Sequence, residues 1–145
     1  MNGVNLVADI GNGTMDVLYM INGRPQAGKM YTEKFGTYQC ILAVREMFMQ
    51  KTQREINDTI IEEVLITGSA NITPADQKII RSIAMDYVRN IFRRLREHSY
   101  DEGTMVLYIT GVCPAVPACC RRSADLRCIS KSDARRRAPA GHLRL

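Results

Sequence analysis

The chain has 145 residues, of which 46% are hydrophobic and 24% charged, with ten glycines and five prolines. This is the composition of one soluble globular domain. No apolar run approaches the roughly 20 residues that a membrane-spanning helix needs. The first five residues hold no basic group ahead of a long apolar run, so we expect no secretory signal and no membrane partner. The expected location is therefore the cytoplasm.

The formal charge of +5 is distributed unevenly along the chain. Residues 1–111 hold 12 Lys and Arg against 13 Asp and Glu, whereas residues 112–145 hold 8 against 2. The second range also contains four of the five cysteines and three of the five prolines, without apolar periodicity. The sequence therefore predicts a folded domain over 1–111 and a basic, Cys/Arg/Pro-rich, disordered tail over 112–145.

The first third of the chain predicts three strands, because it contains short runs of apolar, β-branched and aromatic residues. Two runs cover residues 4–8 and 15–21, and a third ends near Glu33. Asn12-Gly13 lies between the first two and predicts a type I′ hairpin turn, whose two central residues need a positive φ. A second turn over residues 22–25 leads to the third strand. We therefore expect an antiparallel meander.

From Gly36 the apolar residues follow a helical period. The first predicted helix runs to about Lys51. A shorter helix follows, with Asn57 or Asp58 as its N-cap, and Gly68 ends it because glycine suits the left-handed C-cap position.

The third predicted helix has the clearest signals. Thr73 is a good N-cap, and Pro74 occupies the first helical position, where its missing N–H costs nothing. A continuous apolar stripe leaves the opposite face charged, so we expect the helix to pack against a sheet on one side. Residues 105–110 then predict a buried strand with Gly111 at its C-terminal end.

The sequence Asp-Ile-Gly-Asn-Gly-Thr over residues 9–14 carries the strongest chemical signal. Two glycines in a tight turn leave backbone N–H groups free to converge on an anion, and Thr14 adds a hydroxyl donor. Asp9, at the end of a buried strand, is placed to hold the water shell of Mg²⁺. Together these groups suit the terminal phosphates of a nucleotide. The residues alone leave open an ordinary hairpin in which Asp9 caps the turn.

The stretch over residues 7–16 resembles the second phosphate motif of the actin, sugar-kinase and heat-shock-chaperone superfamily. That motif is an apolar strand followed by Asp-x-Gly-small-Gly-Thr, and then Thr and Asp or a near equivalent. Over residues 4–111 the chain is similar to bacterial plasmid-segregation actin-like ATPases of the ParM type. Four further segments carry this likeness, namely residues 31–36, 66–68, 92–98 and 107–111.

The resemblance implies an α/β fold, a ribonuclease H-like half-domain of the actin superfamily with an N-terminal β-meander followed by helices packed on a mixed sheet. In this family two similar domains close on the nucleotide. We therefore expect residues 1–111 to be the C-terminal nucleotide-binding half, truncated near the adenosine motif and of weak or no activity alone. The family's adenosine motif continues with further glycines, whereas this chain continues from Gly111 with Val112, Cys113 and Pro114.

The resemblance also implies ATP and Mg²⁺ as cofactors. Asp9 would be the catalytic residue, holding the water shell of Mg²⁺ or orienting the attacking water, and Gly111 would begin the turn that approaches the adenosine. The donors to the β- and γ-phosphates would be Gly11, Asn12, Gly13 and Thr14. The implied partners are further copies of the chain or full-length filament subunits, and a DNA-bound adaptor protein. Intact relatives polymerise and push replicated plasmids apart.

The remaining charged residues and cysteines give weaker signals of function. The arginine clusters lack interleaved aromatic residues, so we do not expect the tail to bind nucleic acid. We interpret His98 as a helix-end cation rather than a catalytic base. A second class of function stays open, a non-enzymatic interaction protein that caps related filaments or binds nucleic acid through the tail. Four tail cysteines lack the paired spacing of a zinc site and are expected to be reduced thiols, namely Cys113, Cys119, Cys120 and Cys128.

Overall fold

The computed structural model describes residues 3–111 and the backbone of residues 126–128. Five strands form one mixed sheet: β1 (Val4–Ile10), β2 (Met15–Ile21), β3 (Arg24–Glu33), β4 (Val106–Gly111) and β5 (Leu126–Cys128). Their order across the sheet is β3-β2-β1-β4-β5. The first three strands pair antiparallel, whereas β4 pairs in parallel with both β1 and β5. The predicted meander and mixed sheet are confirmed.

Strand β5 lies inside the range 112–145 that the sequence predicts to be a disordered tail. Its three residues pair with β4, from Leu107 with Leu126 to Ile109 with Cys128. The alternation of Leu126, Arg127 and Cys128 covers only three residues, too short a run to predict a strand from the sequence. The remainder of 112–145 lies outside the described residues, and so do the predictions made for its thiols and arginines.

Three helices connect β3 to β4: α1 (Thr37–Thr52), α2 (Asp58–Thr67) and α3 (Pro74–Glu97). Their predicted caps are confirmed. The side chain of Asn57 accepts the N–H of Thr59 at 2.8 Å, and Gly68 ends α2 in the left-handed conformation. The hydroxyl oxygen of Thr73 accepts the N–H of Asp76 at 3.2 Å. Within residues 3–111, no helix is both long and apolar enough to cross a bilayer.

The helices share one core with the sheet. Strand β1 contributes Leu6, Ala8 and Ile10, each with 0% exposure. Burial of an aliphatic side chain the size of Leu6 or Ile10 stabilises a fold by roughly 1.5–3 kcal/mol. The apolar stripe of α3 faces this core, which confirms that α3 packs on one side. Prominent helical members of the core are Val44, Phe48, Ile61, Ile80, Ile91 and Leu95.

The two Asn-Gly pairs of the meander adopt different conformations. Asn22 and Gly23 have φ values of 51° and 77°, the two positive angles that a type I′ turn requires. Neither Asn12 nor Gly13 has a positive φ. The prediction of a type I′ turn at Asn12-Gly13 is therefore wrong, because contacts with α1 impose another shape on the connection between β1 and β2.

Glu33, at the end of β3, ties that strand to the end of α3. Its carboxylate lies 2.5 Å from a guanidinium nitrogen of Arg94 and 2.7 Å from Nε2 of His98. The His98 ring also stacks on Tyr31, with the ring centroids 3.7 Å apart. Burial would raise the pKa of Glu33, but the hydrogen bonds and charges of Arg94 and His98 outweigh burial and hold that pKa below its usual value.

We expect Glu33→Gln to lower the free energy of unfolding at pH 7 by about 1–2 kcal/mol, because the amide keeps the size but loses the charge that Arg94 and His98 face. A lowered pKa in the folded state means that the carboxylate stabilises the fold fully above its unfolded-state pKa. That contribution is lost as the pH falls through the folded-state pKa. Urea denaturation at pH 7 and in acid should therefore show the variant and wild type converging in acid.

Glu46→Gln is the matched control, because Glu46 is exposed on α1 and its only described contact is a weak one with Gln50 at 3.4 Å. Its effect should stay within about 0.5 kcal/mol. A stability difference for Glu33→Gln that is the same at both pH values would contradict the assignment of the effect to the carboxylate charge.

Candidate functional site

The candidate site lies at the edge of the sheet where β1 and β4 end side by side. The parallel register places Asp9 beside Thr110, one residue before Gly111. The antiparallel register places Asp9 opposite Asp16. The connection over residues 11–14, called the 11–14 loop, leaves β1 at this edge. The structure thus brings together every predicted site residue: Asp9, Gly11, Asn12, Gly13, Thr14 and Gly111.

The first turn of α1 packs against the 11–14 loop. Three backbone N–H groups of this turn donate to three loop carbonyls: Gly36 to Gly13 at 3.2 Å, Thr37 to Gly11 at 3.0 Å and Tyr38 to Asn12 at 2.8 Å. The first N–H groups of a helix have no partner within the helix. Here the loop supplies the missing acceptors, and this tertiary contact fixes the loop conformation that the Asn-Gly signal alone did not predict.

The N–H groups of the loop turn away from α1. A trans peptide is planar, so a carbonyl and the N–H of the next residue point in opposite directions. Since the carbonyls of Gly11, Asn12 and Gly13 face α1, the N–H groups of Asn12, Gly13 and Thr14 face outward. Within the described residues these three N–H groups have no hydrogen-bond acceptor, and Asn12 and Gly13 are exposed. Neighbouring free N–H groups that face outward in this way suit an anion.

Gly111 fits closely against the end of β1. Its φ is 106°, a conformation that residues with a side chain rarely adopt. A Cβ atom on Gly111 would lie 2.2 Å from the carbonyl oxygen of Ile10 and 2.7 Å from Oδ1 of Asp9. Strand β4 therefore approaches the Asp9 carboxylate this closely because position 111 has no side chain.

Asp16 and Thr32 lie beside the site, although the sequence analysis assigned them no role. The hydroxyl of Thr32 donates to Oδ1 of Asp16 at 2.5 Å. Asp9 and Asp16 are directly opposite and exposed, and like charges in that arrangement repel each other. The predicted hairpin contained the signal for Asp16, because counting residue pairs outward from the loop places it opposite Asp9.

An open groove of about 500 Å³ includes these groups, on the face of the sheet opposite the helical core. Its lining includes the carboxylates of Asp9 and Asp16, the kind of oxygen ligand that Mg²⁺ takes from proteins. Residues 3–111 contain no group of three His, Cys, Asp or Glu side chains placed to hold a metal. Mg²⁺ fits a site with only two carboxylates, because it keeps several waters and binds through one or two carboxylates plus phosphate oxygens. The groove is lined in part by Val7, Asp9, Asp16, Leu18, Met30, Thr32 and Thr110.

No protein-family model matches this sequence, and no curated protein matches it. Solved structures do match. An archaeal actin homolog, Ta0583, superposes with a TM-score of 0.70 at 18% identity, over 92% of this chain and 45% of that one. Its complex with ADP gives a TM-score of 0.56. Bacillus thuringiensis ParM with ATP gives 0.60 at 12% identity, over 88% of this chain and 42% of that one.

The structure of the Alp12 filament gives a TM-score of 0.63 at 11% identity, over 92% of this chain and 44% of that one. The described part of the chain has the actin-like half-domain fold. The predicted fold class is thereby confirmed for the sheet and helices, and the chain spans less than half the length of these three proteins.

We expect Gly111→Ala to lower the free energy of unfolding by about 2–4 kcal/mol, because the new Cβ meets backbone atoms and the φ is unfavourable for alanine. Gly103→Ala is the control, since its Cβ would meet only Oδ1 of Asp101 at an ordinary 3.5 Å. Urea denaturation of the two variants gives the comparison. Equal midpoints for both would show that β4 does not need a glycine beside Asp9.

Proposed function

We propose that this chain binds the phosphates of Mg²⁺-ATP through the 11–14 loop. The observation that carries the proposal is the outward direction of the N–H groups of Asn12, Gly13 and Thr14, which have no acceptor within the described residues. Three backbone donors and the Thr14 hydroxyl would stabilise phosphate oxygens by charge and position, as phosphoryl-transfer sites do. In this proposal Gly11 shapes the loop, because its N–H already donates to the Thr14 carbonyl at 2.9 Å.

Asp9 is the proposed residue for Mg²⁺, which it would hold through bound water, and it would orient the water that attacks the γ-phosphate. Asp16, opposite Asp9 across the hairpin, adds a second negative charge that favours a divalent cation at this edge. Mg²⁺, when bound, neutralises charge on the phosphates. Gly111, at the end of β4 beside Asp9, would begin the turn that approaches the adenosine.

Two similar folds support the choice of an adenine nucleotide. ParM with ATP and Ta0583 with ADP share this fold with the chain. Because the chain spans less than half the length of those proteins, we propose nucleotide binding with weak or no hydrolysis by this chain alone. A complete ATPase would need phosphate contacts from a second domain.

The proposed setting is a filament of the plasmid-partition type in the bacterial cytoplasm. The similarity to the Alp12 filament and to ParM supports association with further copies of this chain or with full-length subunits. A DNA-bound adaptor is a further proposed partner, which only the resemblance of the sequence to ParM-type ATPases implies. The alternative is a non-enzymatic protein that caps related filaments.

Isothermal titration calorimetry with ATP and Mg²⁺ tests the proposal on wild type and Asp9→Asn. We expect the wild type to bind only with Mg²⁺ present, and Asp9→Asn to bind at least about tenfold more weakly, because the amide lacks the charge that holds the cation. Asp58→Asn, a change of the same kind on α2, should bind like wild type.

Absence of wild-type binding would overturn the proposal and favour the alternative of filament capping. Co-sedimentation with filaments of a related actin-like protein then tests the capping alternative. A capping protein shortens filaments at substoichiometric amounts without binding nucleotide itself.

A further inference from the structure

The N–H groups at the start of α1 have an unusual partner, which is the 11–14 loop. Helix N-termini commonly present their free N–H groups to an anionic ligand. In this chain the N–H groups of Gly36, Thr37 and Tyr38 instead bind the carbonyls of the loop. The helix therefore acts on a ligand at the loop through the loop peptides, whose N–H groups face the opposite way.

We propose that the first turn of α1 is the positioning element for the phosphate donors of the loop, with Gly36 and the N–H of Thr37 as the positioning residues. The inference rests on the proposed function only for the identity of the ligand, which is the phosphate that the loop donors would bind. The orientation of the loop itself is independent of any ligand and can be measured without one.

Position 36 requires a glycine because of its close contact with the 11–14 loop, and not because of its backbone conformation. Its φ is −88°, an angle that any residue adopts. A Cβ atom at this position would lie 2.4 Å from the carbonyl oxygen of Asn12, 2.5 Å from the carbonyl carbon of Asn12 and 2.6 Å from that of Gly13. All three are backbone atoms of the loop, so no side-chain rotation relieves the overlap. A side chain at position 36 must push the loop away from α1 and rotate its peptide groups.

Thr37 offers a second way to break the contact. It is the first residue of α1, and its N–H donates to the carbonyl of Gly11 at 3.0 Å. Proline suits the first position of a helix, as Pro74 shows at the start of α3. The extended backbone of Gly36, with ψ of −174°, is also compatible with a following proline. Thr37→Pro therefore removes both donors of Thr37 to the Gly11 carbonyl, the N–H and the hydroxyl at 3.5 Å, and its Cδ atom pushes that carbonyl away, while the first turn of the helix itself tolerates proline.

Asp58→Pro is the matched control. Asp58 is the first residue of α2, and the preceding Asn57 has a ψ of 138°, which also tolerates a following proline. The N–H of Asp58 donates to no carbonyl of the 11–14 loop. The control thus places proline at an equivalent helix position away from the site, and beyond this it removes only the exposed ion pair of Asp58 with Arg45 at 3.5 Å.

The test has two readouts, the affinity for Mg²⁺-ATP by calorimetry and the amide NMR signals of Asn12, Gly13 and Thr14 without nucleotide. We expect Gly36→Ala and Thr37→Pro to weaken binding by at least about tenfold, the order expected for the loss of one or two charge-assisted hydrogen bonds. The same two variants should shift the three loop amide signals and speed their hydrogen exchange. Asp58→Pro should leave both readouts at wild-type values.

Wild-type affinity in both Gly36→Ala and Thr37→Pro would overturn the positioning role while leaving the proposed function intact. If wild type does not bind nucleotide, the proposed function fails, and the ligand-free amide signals decide the positioning role: unchanged signals in the variants overturn it. If Gly36→Ala does not fold, Thr37→Pro decides by the same two readouts.

Discussion

The central position of β1 is the constraint on which the rest of the structure depends. This strand pairs antiparallel with β2 on one side and in parallel with β4 on the other. Its alternate residues Leu6, Ala8 and Ile10 are fully buried under the helices, and this burial fixes the strand's register and orientation. Asp9 lies between two of these anchors and must point to the opposite face. The core residues of β1 therefore also determine the direction of the carboxylate at the candidate site.

The helices and most strands follow from local signals. A cap such as Asn57 or Thr73 acts on N–H groups two or three residues away, and an apolar stripe is visible within one segment, so the sequence alone predicts α1, α2 and α3 close to their observed limits. The second turn also follows from local chemistry, because Asn22 and Gly23 adopt the type I′ conformation that the pair favours, and the hydrogen bonds between Asn22 and Gly3 are compatible with it. The composition of the candidate loop, with Asp9 before two glycines, is likewise a local feature.

The features that the sequence did not predict depend on distant partners. Asn12-Gly13 has the same two residues as the second turn, yet α1, whose N-cap Gly36 lies more than twenty positions further along the chain, sets its conformation. Tertiary hydrogen bonds outweigh a turn preference in this case. The short strand β5 is only three residues long, too short for its pattern to predict it, and it depends on an available edge of β4. Asp16 differs from these two features, because the predicted hairpin already places it opposite Asp9. The loop motif alone gives no signal that a second carboxylate belongs to the site.

The pairing of β1 with β4 has a consequence for the order of folding. Leu6 pairs with Leu107, and the whole meander and all three helices lie between them in the chain. Contacts between residues so far apart in sequence carry a large loop-closure cost and tend to form late. The 11–14 loop and α1 are much closer in sequence and can meet early. The close contact of Gly111 with the end of β1 is thus among the last parts of the site to form. The site is therefore complete only once the rest of the domain has folded.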